Sequence, residues 1–171
     1  MLAAAMICLV VGIADGDTLT ARCGDPGTYQ QVKVRLAAID APEKKQPYGQ
    51  RSRATLARLC FQHQATIRPQ GQDRYGRTVA DVECQDMDAG KSQVRAGMAW
   101  VYRQYAKGRG YLQRAEDEAR GERLGLWADA APVPPWEFRH PSAQPDAAGC
   151  ITGPRGGRYT LGTDGRKHYG C

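Results

Sequence analysis

One apolar segment of the chain ends with a cation and two acids. Residues 35–43 read RLAAIDAPE, so Arg35 is followed closely by Asp40 and Glu43. Alternate side chains of a β-strand share a face, and we expect this alternation to continue to residue 39. Pro42 ends strand pairing and forces a turn, which predicts both carboxylates at an exposed strand end. A guanidinium beside two acids suits the handling of a phosphate with a metal ion.

Two further polar motifs accompany this segment, DGDT at 15–18 and DRYGR at 73–77. An Asp-Gly pair is typical of a turn between strands, so Asp17 alone could be a turn residue. Arg77 alone is better explained as an exposed turn arginine after Tyr75 and Gly76. Taken with residues 35–43, the motifs indicate a site that handles a phosphate with a metal ion.

The composition indicates a basic, disulfide-containing chain. Its 171 residues allow one good core with a small appendage. The net charge of +6 favours polyanionic partners such as nucleic acid, although many basic proteins bind none. Six cysteines allow about fifteen pairings, and the sequential one is attractive because each pair flanks a hairpin or a closed loop. The favoured disulfides are Cys8–Cys23, Cys60–Cys84 and Cys150–Cys171.

Disulfides are the favoured explanation of these cysteines because the chain has no Cys-x-x-Cys pair, the spacing typical of zinc sites. Disulfides imply an oxidising compartment, so a periplasmic or secreted protein is expected.

The hydrophobic pattern predicts an α+β fold in which helices pack on a small, partly open barrel of five strands. The strands are expected at 6–12, 18–23, 32–39, 64–68 and 78–84. A polar loop is predicted at 69–77 and a short mixed element at 94–102. Helices are predicted at 51–60 and 109–123, with core-facing residues Ala54, Leu56, Leu59 and Cys60 in the first and Leu112, Ala115 and Ala119 in the second.

The ends of the chain differ in composition from the centre. Residues 1–6 could be the remnant of a signal peptide, and the apolar start is too short to span a bilayer. Residues 129–149 are rich in proline and predict a semi-rigid linker. Residues 150–171 form a basic, glycine-rich tail closed by Cys150–Cys171, which is either a nucleic-acid clamp or a solvated tail.

Five motifs occur in an order that resembles the staphylococcal-nuclease-like family, also called thermonucleases, over residues 7–128. They are DGDT at 15–18, RLAAIDAPE at 35–43, DRYGR at 73–77, RAGMA at 95–99 and LGLW at 124–127. The resemblance implies an OB-type five-stranded β-barrel with about three helices.

The resemblance also implies a Ca²⁺ site. Asp17 and Asp40 match the two carboxylates that hold the ion, and the backbone carbonyl of Ala41 matches a third ligand. The family reference has threonine at this third position, but a carbonyl ligand tolerates alanine. Asp15 is expected to support the site through water.

The remaining family positions concern the substrate. Glu43 matches the general base, and Arg35 and Arg77 match the two arginines that contact the phosphoryl group. Arg74 and Tyr75 match positions near the nucleotide phosphate and ring. The family's flexible loop after the base is abbreviated here, which argues against a lid.

The resemblance therefore implies a Ca²⁺-dependent endonuclease that acts on DNA and RNA, including denatured strands, with little sequence preference. The expected products carry a 5′-hydroxyl and a 3′-phosphate, and the expected state is a monomer. The alternative is a nonenzymatic nucleic-acid-binding OB-type module, and a small-ligand binder is a third reading. A pure binder has no reason to retain the complete set of Asp17, Arg35, Asp40, Glu43 and Arg77.

Overall fold

The computed structural model of the protein describes residues 4–140, 148–152, 157–162 and 166–171. The chain divides into two units, Met1–Pro135 and Trp136–Cys171. Among the described residues, no helix is both long and apolar enough to cross a membrane.

Five strands of the first unit close into a barrel. β1 (Met6–Asp15) lies antiparallel between β2 (Thr18–Cys23) and β5 (Gln64–Gln72). β2 also pairs with β3 (Gln30–Leu36), and β5 pairs with β6 (Thr78–Cys84). A parallel pairing of β3 with β6 closes the ring. The predicted α+β fold with a five-stranded OB-type barrel is confirmed.

Helices and short strands of the first unit surround the barrel. Its helices are α1 (Gly49–Cys60), α2 (Ala89–Arg95) and α3 (Gly110–Gly121). A short helix, α4 (Pro135–Arg139), begins at the last residue of this unit. Turns of 3₁₀-helix span Arg103–Tyr105 and Gly125–Ala128. The short strands are β4 (Ile39–Asp40), β7 (Met87–Asp88) and β8 (Trp100–Val101), of which β4 pairs with β8 and β7 with β6.

The core fills the barrel and extends beneath the helices, and its largest fully buried apolar side chains include Leu19, Leu36, Ile39, Leu56, Ile67 and Leu112.

On α1, buried positions recur every four residues at Ser52, Leu56 and Cys60. Ala54 is exposed, and its predicted core position is wrong because two residues along a helix turn the side chain to the opposite side. On α3 the predicted residues Leu112, Ala115 and Ala119 are buried.

The strand predicted at 32–39 is interrupted. β3 ends at Leu36, and a turn at Ala37 and Ala38 separates it from β4. Ala38 has a φ of 63°, a left-handed conformation that cannot continue a strand. The alternation of faces predicted beyond Leu36 is therefore wrong.

Two other predicted boundaries differ from the structure. β5 continues through a register irregularity after Pro69 to Gln72, so the polar loop predicted at 69–77 is confined to residues 73–77. The mixed element predicted at 94–102 contains the end of α2 and all of β8. α2 escaped prediction because a seven-residue helix offers too few turns for a clear apolar period.

The six cysteines form three disulfides in the favoured sequential pairing. Cys8–Cys23 joins β1 to β2, and Cys60–Cys84 joins the end of α1 to β6. Cys150–Cys171 closes the second unit. Each bridge is expected to stabilise the fold by about 2–4 kcal/mol, chiefly by restricting the unfolded chain.

The second unit contains a small antiparallel sheet of β9 (Ile151–Thr152), β10 (Arg158–Leu161) and β11 (Lys167–Tyr169). The rings of Tyr159 and Tyr169 lie 5.7 Å apart. The stretch predicted as a linker contains α4 in its first half, and its residues 141–147 lie outside the described residues.

Two of the sequence motifs pack against each other through glycine. Gly97 and Gly125 both have positive φ, and the N–H of Leu126 donates to the Gly97 carbonyl at 2.8 Å. A Cβ atom at Gly97 would overlap the carbonyl oxygen of Leu124, and one at Gly125 would overlap the Gly97 carbonyl. The glycines of these motifs are therefore explained by close backbone contact.

We expect Gly97→Ala to lower the free energy of unfolding by about 3 kcal/mol or more, because it combines left-handed strain with a backbone clash. Gly108→Ala is the matched control. Gly108 has a φ of +77° and open space around its Cβ position, so only the strain of about 1 kcal/mol applies. Urea unfolding measures both variants, and equal losses would contradict the packing argument.

Candidate active site

The guanidinium of Arg35 contacts both acids of the predicted metal site. Its Nη2 lies 3.2 Å from Oδ1 of Asp40 and 3.4 Å from Oδ2 of Asp17. Its Nη1 donates to the carbonyls of Leu36 and Ile39 at 2.8 and 2.7 Å. Because these carbonyls flank the turn after β3, the turn wraps around the guanidinium. Arg35 therefore shapes the backbone that carries Asp40.

Asp17 and Asp40 are buried, with exposed fractions of 4% and 1%. The prediction that Asp40 lies at an exposed strand end is wrong, because Asp40 enters β4 and pairs with Trp100 of β8. Asp17 accepts hydrogen bonds from the N–H of Ala41 at 2.7 Å and from the hydroxyl of Thr18 at 2.9 Å. The contact with Ala41 joins the 15–18 turn to the segment after β4.

Asp15 lies beside this pair, where its Oδ1 accepts a hydrogen bond from the N–H of Asp17 at 3.2 Å. Burial, and then the negative charge of Asp17, raise the pKa of Asp15 to about 7. The pKa of Asp15 is therefore raised because its carboxyl lies buried beside a second acid.

The donor chemistry of this cluster fits a hard divalent cation. Asp17 and Asp40 offer carboxylate oxygens next to a single guanidinium nitrogen, so two negative charges face one positive charge. Within the described part of the chain, no group of three or more His, Cys, Asp or Glu side chains is arranged to hold a metal. A cation here would draw further ligands from backbone carbonyls and water, which Ca²⁺ accepts readily.

A buried polar network supports the 15–18 turn. The amide of Gln93 donates to the Gly16 carbonyl at 2.7 Å and to the Ser52 carbonyl at 3.0 Å. The Ser52 hydroxyl donates to the Met98 carbonyl at 2.6 Å. A Cβ atom at Gly16 would overlap the Ser52 hydroxyl, so the turn packs directly on α1. This network could not be predicted from the sequence, because Gln93 and Ser52 are polar residues at core positions of helices.

Glu43 lies on the loop that follows Asp40 and is half-buried. Its backbone is held by Gln46, whose side-chain oxygen accepts from the Glu43 N–H at 3.0 Å. The structure thus brings Asp15, Asp17, Arg35, Asp40 and Ala41 together by direct contact, and it places Glu43 on the adjoining loop.

Arg77 approaches from the turn between β5 and β6. Its Nε donates to Asp73 at 2.7 Å, and its Nη1 lies 3.5 Å from the hydroxyl of Thr18. Thr18 also donates to Asp17, so one residue separates Arg77 from the acid pair. Partial burial raises the pKa of Asp73, but hydrogen bonds from Arg77 and Tyr75 lower it by more, so this pKa lies below its usual value. The contact of Thr18 with Arg77 was not predicted from the DGDT motif at residues 15–18.

Arg74 and Tyr75 extend outward from the same turn. The ring of Tyr75 is 69% exposed. The guanidinium carbons of Arg74 and Arg77 lie 4.9 and 5.5 Å from its centroid. An exposed ring close to two guanidinium groups suits stacking on a base next to a phosphate.

We expect Arg35→Lys to lower the free energy of unfolding by about 2 kcal/mol, because an ammonium group cannot reach all the oxygens that the fork contacts. Arg68→Lys is the control, since Arg68 forms an exposed ion pair with Glu83 and its loss should cost about 0.5 kcal/mol or less. Chemical denaturation compares the two, and similar small losses would show that Arg35 does not organise the acid pair.

Comparison with known proteins identifies the family. Residues 33–129 match the family described as "Staphylococcal nuclease homologue". An uncharacterized endonuclease of Haemophilus influenzae is 46% identical over 132 residues, which cover 77% of this chain and 72% of the relative. The micrococcal nuclease of Shigella flexneri is 39% identical over 143 residues, which cover 78% of this chain and 80% of the relative. The chain therefore belongs to the staphylococcal nuclease family.

Proposed function

We propose that the protein is a Ca²⁺-dependent nuclease that hydrolyses phosphodiester bonds of DNA and RNA with little sequence preference, leaving 3′-phosphate ends. Membership of a nuclease family supports the hydrolase activity. The observation that carries the proposal is the pair of buried carboxylates, Asp17 and Asp40, gathered on Arg35. Arg77 lies one residue away and provides a second guanidinium for the same site.

In this proposal Asp17, Asp40 and the carbonyl of Ala41 hold the Ca²⁺, with Asp15 acting through water. The ion, when bound, supplies Lewis-acid stabilisation of a phosphoryl oxygen. The two aspartates are well suited to this role because burial and the contacts from Arg35, Thr18 and Ala41 restrict their motion.

Glu43 is proposed as the general base. Its carboxylate takes a proton from the attacking water as the water oxygen bonds to phosphorus. The bond from phosphorus to the 5′-oxygen breaks, and the leaving oxygen takes a proton from solvent. The products are a 3′-phosphate and a 5′-hydroxyl.

Arg77 and Arg35 are proposed to stabilise the charge that develops on the phosphoryl oxygens. Asp73 holds Nε of Arg77, which orients the remaining edge of that guanidinium. Arg35 contributes through the Nη2 edge beside the acids, while its Nη1 remains bound to backbone carbonyls. Arg74 and Tyr75 are proposed to bind the adjacent nucleotide.

The proposed setting is an oxidising compartment, the periplasm or the cell exterior, because all six cysteines lie in disulfides. A monomer is proposed because one chain supplies every group named in the site.

The purified protein should degrade denatured DNA in the presence of Ca²⁺, and excess chelator should stop the reaction. Gel analysis measures cleavage, and phosphatase sensitivity of the labelled ends identifies the 3′-phosphate. Binding without cleavage in both conditions would instead support the nonenzymatic nucleic-acid-binding module. Cleavage that persists with chelator would contradict the metal requirement.

We expect Glu43→Gln to reduce turnover by about 100-fold or more, because the amide cannot take the proton from water. Glu118→Gln is the control, since Glu118 is an exposed residue of α3 that forms an ion pair with Arg95 of α2. Thermal unfolding checks that both variants fold. A Glu43→Gln enzyme that keeps the wild-type rate would exclude Glu43 as the base.

A further inference from the structure

The side chain of Gln46 joins two separate segments of the first unit. It is buried, with 5% of its surface exposed. Its Oε1 accepts from the N–H of Glu43 at 3.0 Å, and its Nε2 donates to the carbonyl of Val133 at 2.6 Å. Both ends of the amide are therefore bonded to backbone, which fixes its orientation.

The loop between Glu43 and α1 is wound closely around this contact. The N–H of Gln46 donates to the Glu43 carbonyl at 2.8 Å, and the N–H of Gly49 donates to the Gln46 carbonyl at 2.9 Å. A Cβ atom at Gly49 would overlap the Glu43 carbonyl oxygen. Gln46 thus holds both the N–H and the carbonyl of Glu43.

Val133 belongs to a segment of residues 129–134, here called the proline strap. Pro134 restricts Val133 to extended conformations, which limits the positions of the carbonyl that Gln46 contacts. The strap follows the 3₁₀ turn Gly125–Ala128, which contains the buried Trp127 and is bonded to the Gly97 carbonyl through Leu126. The strap is therefore anchored in the core at its beginning.

We propose that Gln46 is a positioning residue for Glu43 and that the proline strap is its anchor. A carboxylate that must reach one water molecule loses rate when its backbone shifts by a fraction of an ångström. The proline strap is anchored in the core and binds the side chain of Gln46 through the Val133 carbonyl. The same side chain accepts a hydrogen bond from the N–H of Glu43 and so positions its peptide group. This inference rests on the proposed role of Glu43 as general base.

The first test is Gln46→Met, which keeps the length of the side chain and removes both polar contacts. We expect kcat to fall roughly tenfold with KM unchanged, since substrate binding belongs to other residues. Gln50→Met is the matched control. Gln50 is exposed and donates to the Lys44 carbonyl of the same loop without contacting Glu43, so its loss should leave kcat unchanged.

A double-mutant cycle with Glu43→Gln separates this inference from the proposed function. If Gln46 acts through Glu43, Gln46→Met lowers kcat in the wild type and has no further effect in the Glu43→Gln enzyme. An equal loss in both backgrounds, or no loss in the wild type, would overturn the inference. A Glu43→Gln enzyme with wild-type kcat would instead refute the base assignment itself.

Amide hydrogen exchange gives a readout that does not need activity. Gln46→Met should speed exchange at the Glu43 N–H, whereas Gln50→Met should not. Gln46→Glu keeps the acceptor for that N–H and removes the donor to Val133, and its shape suits the site if the methionine variant does not fold. We expect a lower kcat with exchange between those of the wild type and Gln46→Met. Unchanged kcat and unchanged exchange in Gln46→Glu would overturn the role of the strap.

Discussion

The contact of one guanidinium with two buried carboxylates determines the geometry of the candidate site. Asp17 and Asp40 come from different segments and would repel each other without Arg35 between them. The same guanidinium binds the carbonyls on either side of the turn at residues 37–38, so it ends β3 and directs the chain into β4. The fold and the electrostatics of the site therefore depend on the same side chain.

Polar residues inside the unit extend this order outward from Arg35. Gln93 fixes the carbonyl of the 15–18 turn, and Ser52 links α1 to the carbonyl of Met98. Gln46 accepts a hydrogen bond from the N–H of Glu43 and so fixes the loop that carries this residue. Each of these buried groups has hydrogen-bond partners, so the network holds the backbone in one arrangement without leaving an unsatisfied polar atom.

The sequence predicted the parts of this protein that local chemistry determines. Strand alternation and turn residues located the five barrel strands, and the acidic and basic motifs located Asp17, Arg35, Asp40 and Arg77. The break after Leu36 could not be predicted, because it depends on a side chain that folds back onto its own turn. The burial of Gln46 and Gln93 was equally hidden, because partners distant in sequence satisfy their amides.

The parallel pairing of β3 with β6 has a consequence for cooperativity. In this pairing Arg35 lies opposite Val79, which is two residues after Arg77. Both arginines therefore lie beside the pair of strands that closes the barrel. A chain in which β3 and β6 are not paired does not hold the two guanidinium groups side by side. Formation of the complete site therefore coincides with closure of the barrel, and partially folded chains in which β3 and β6 are not yet paired lack it.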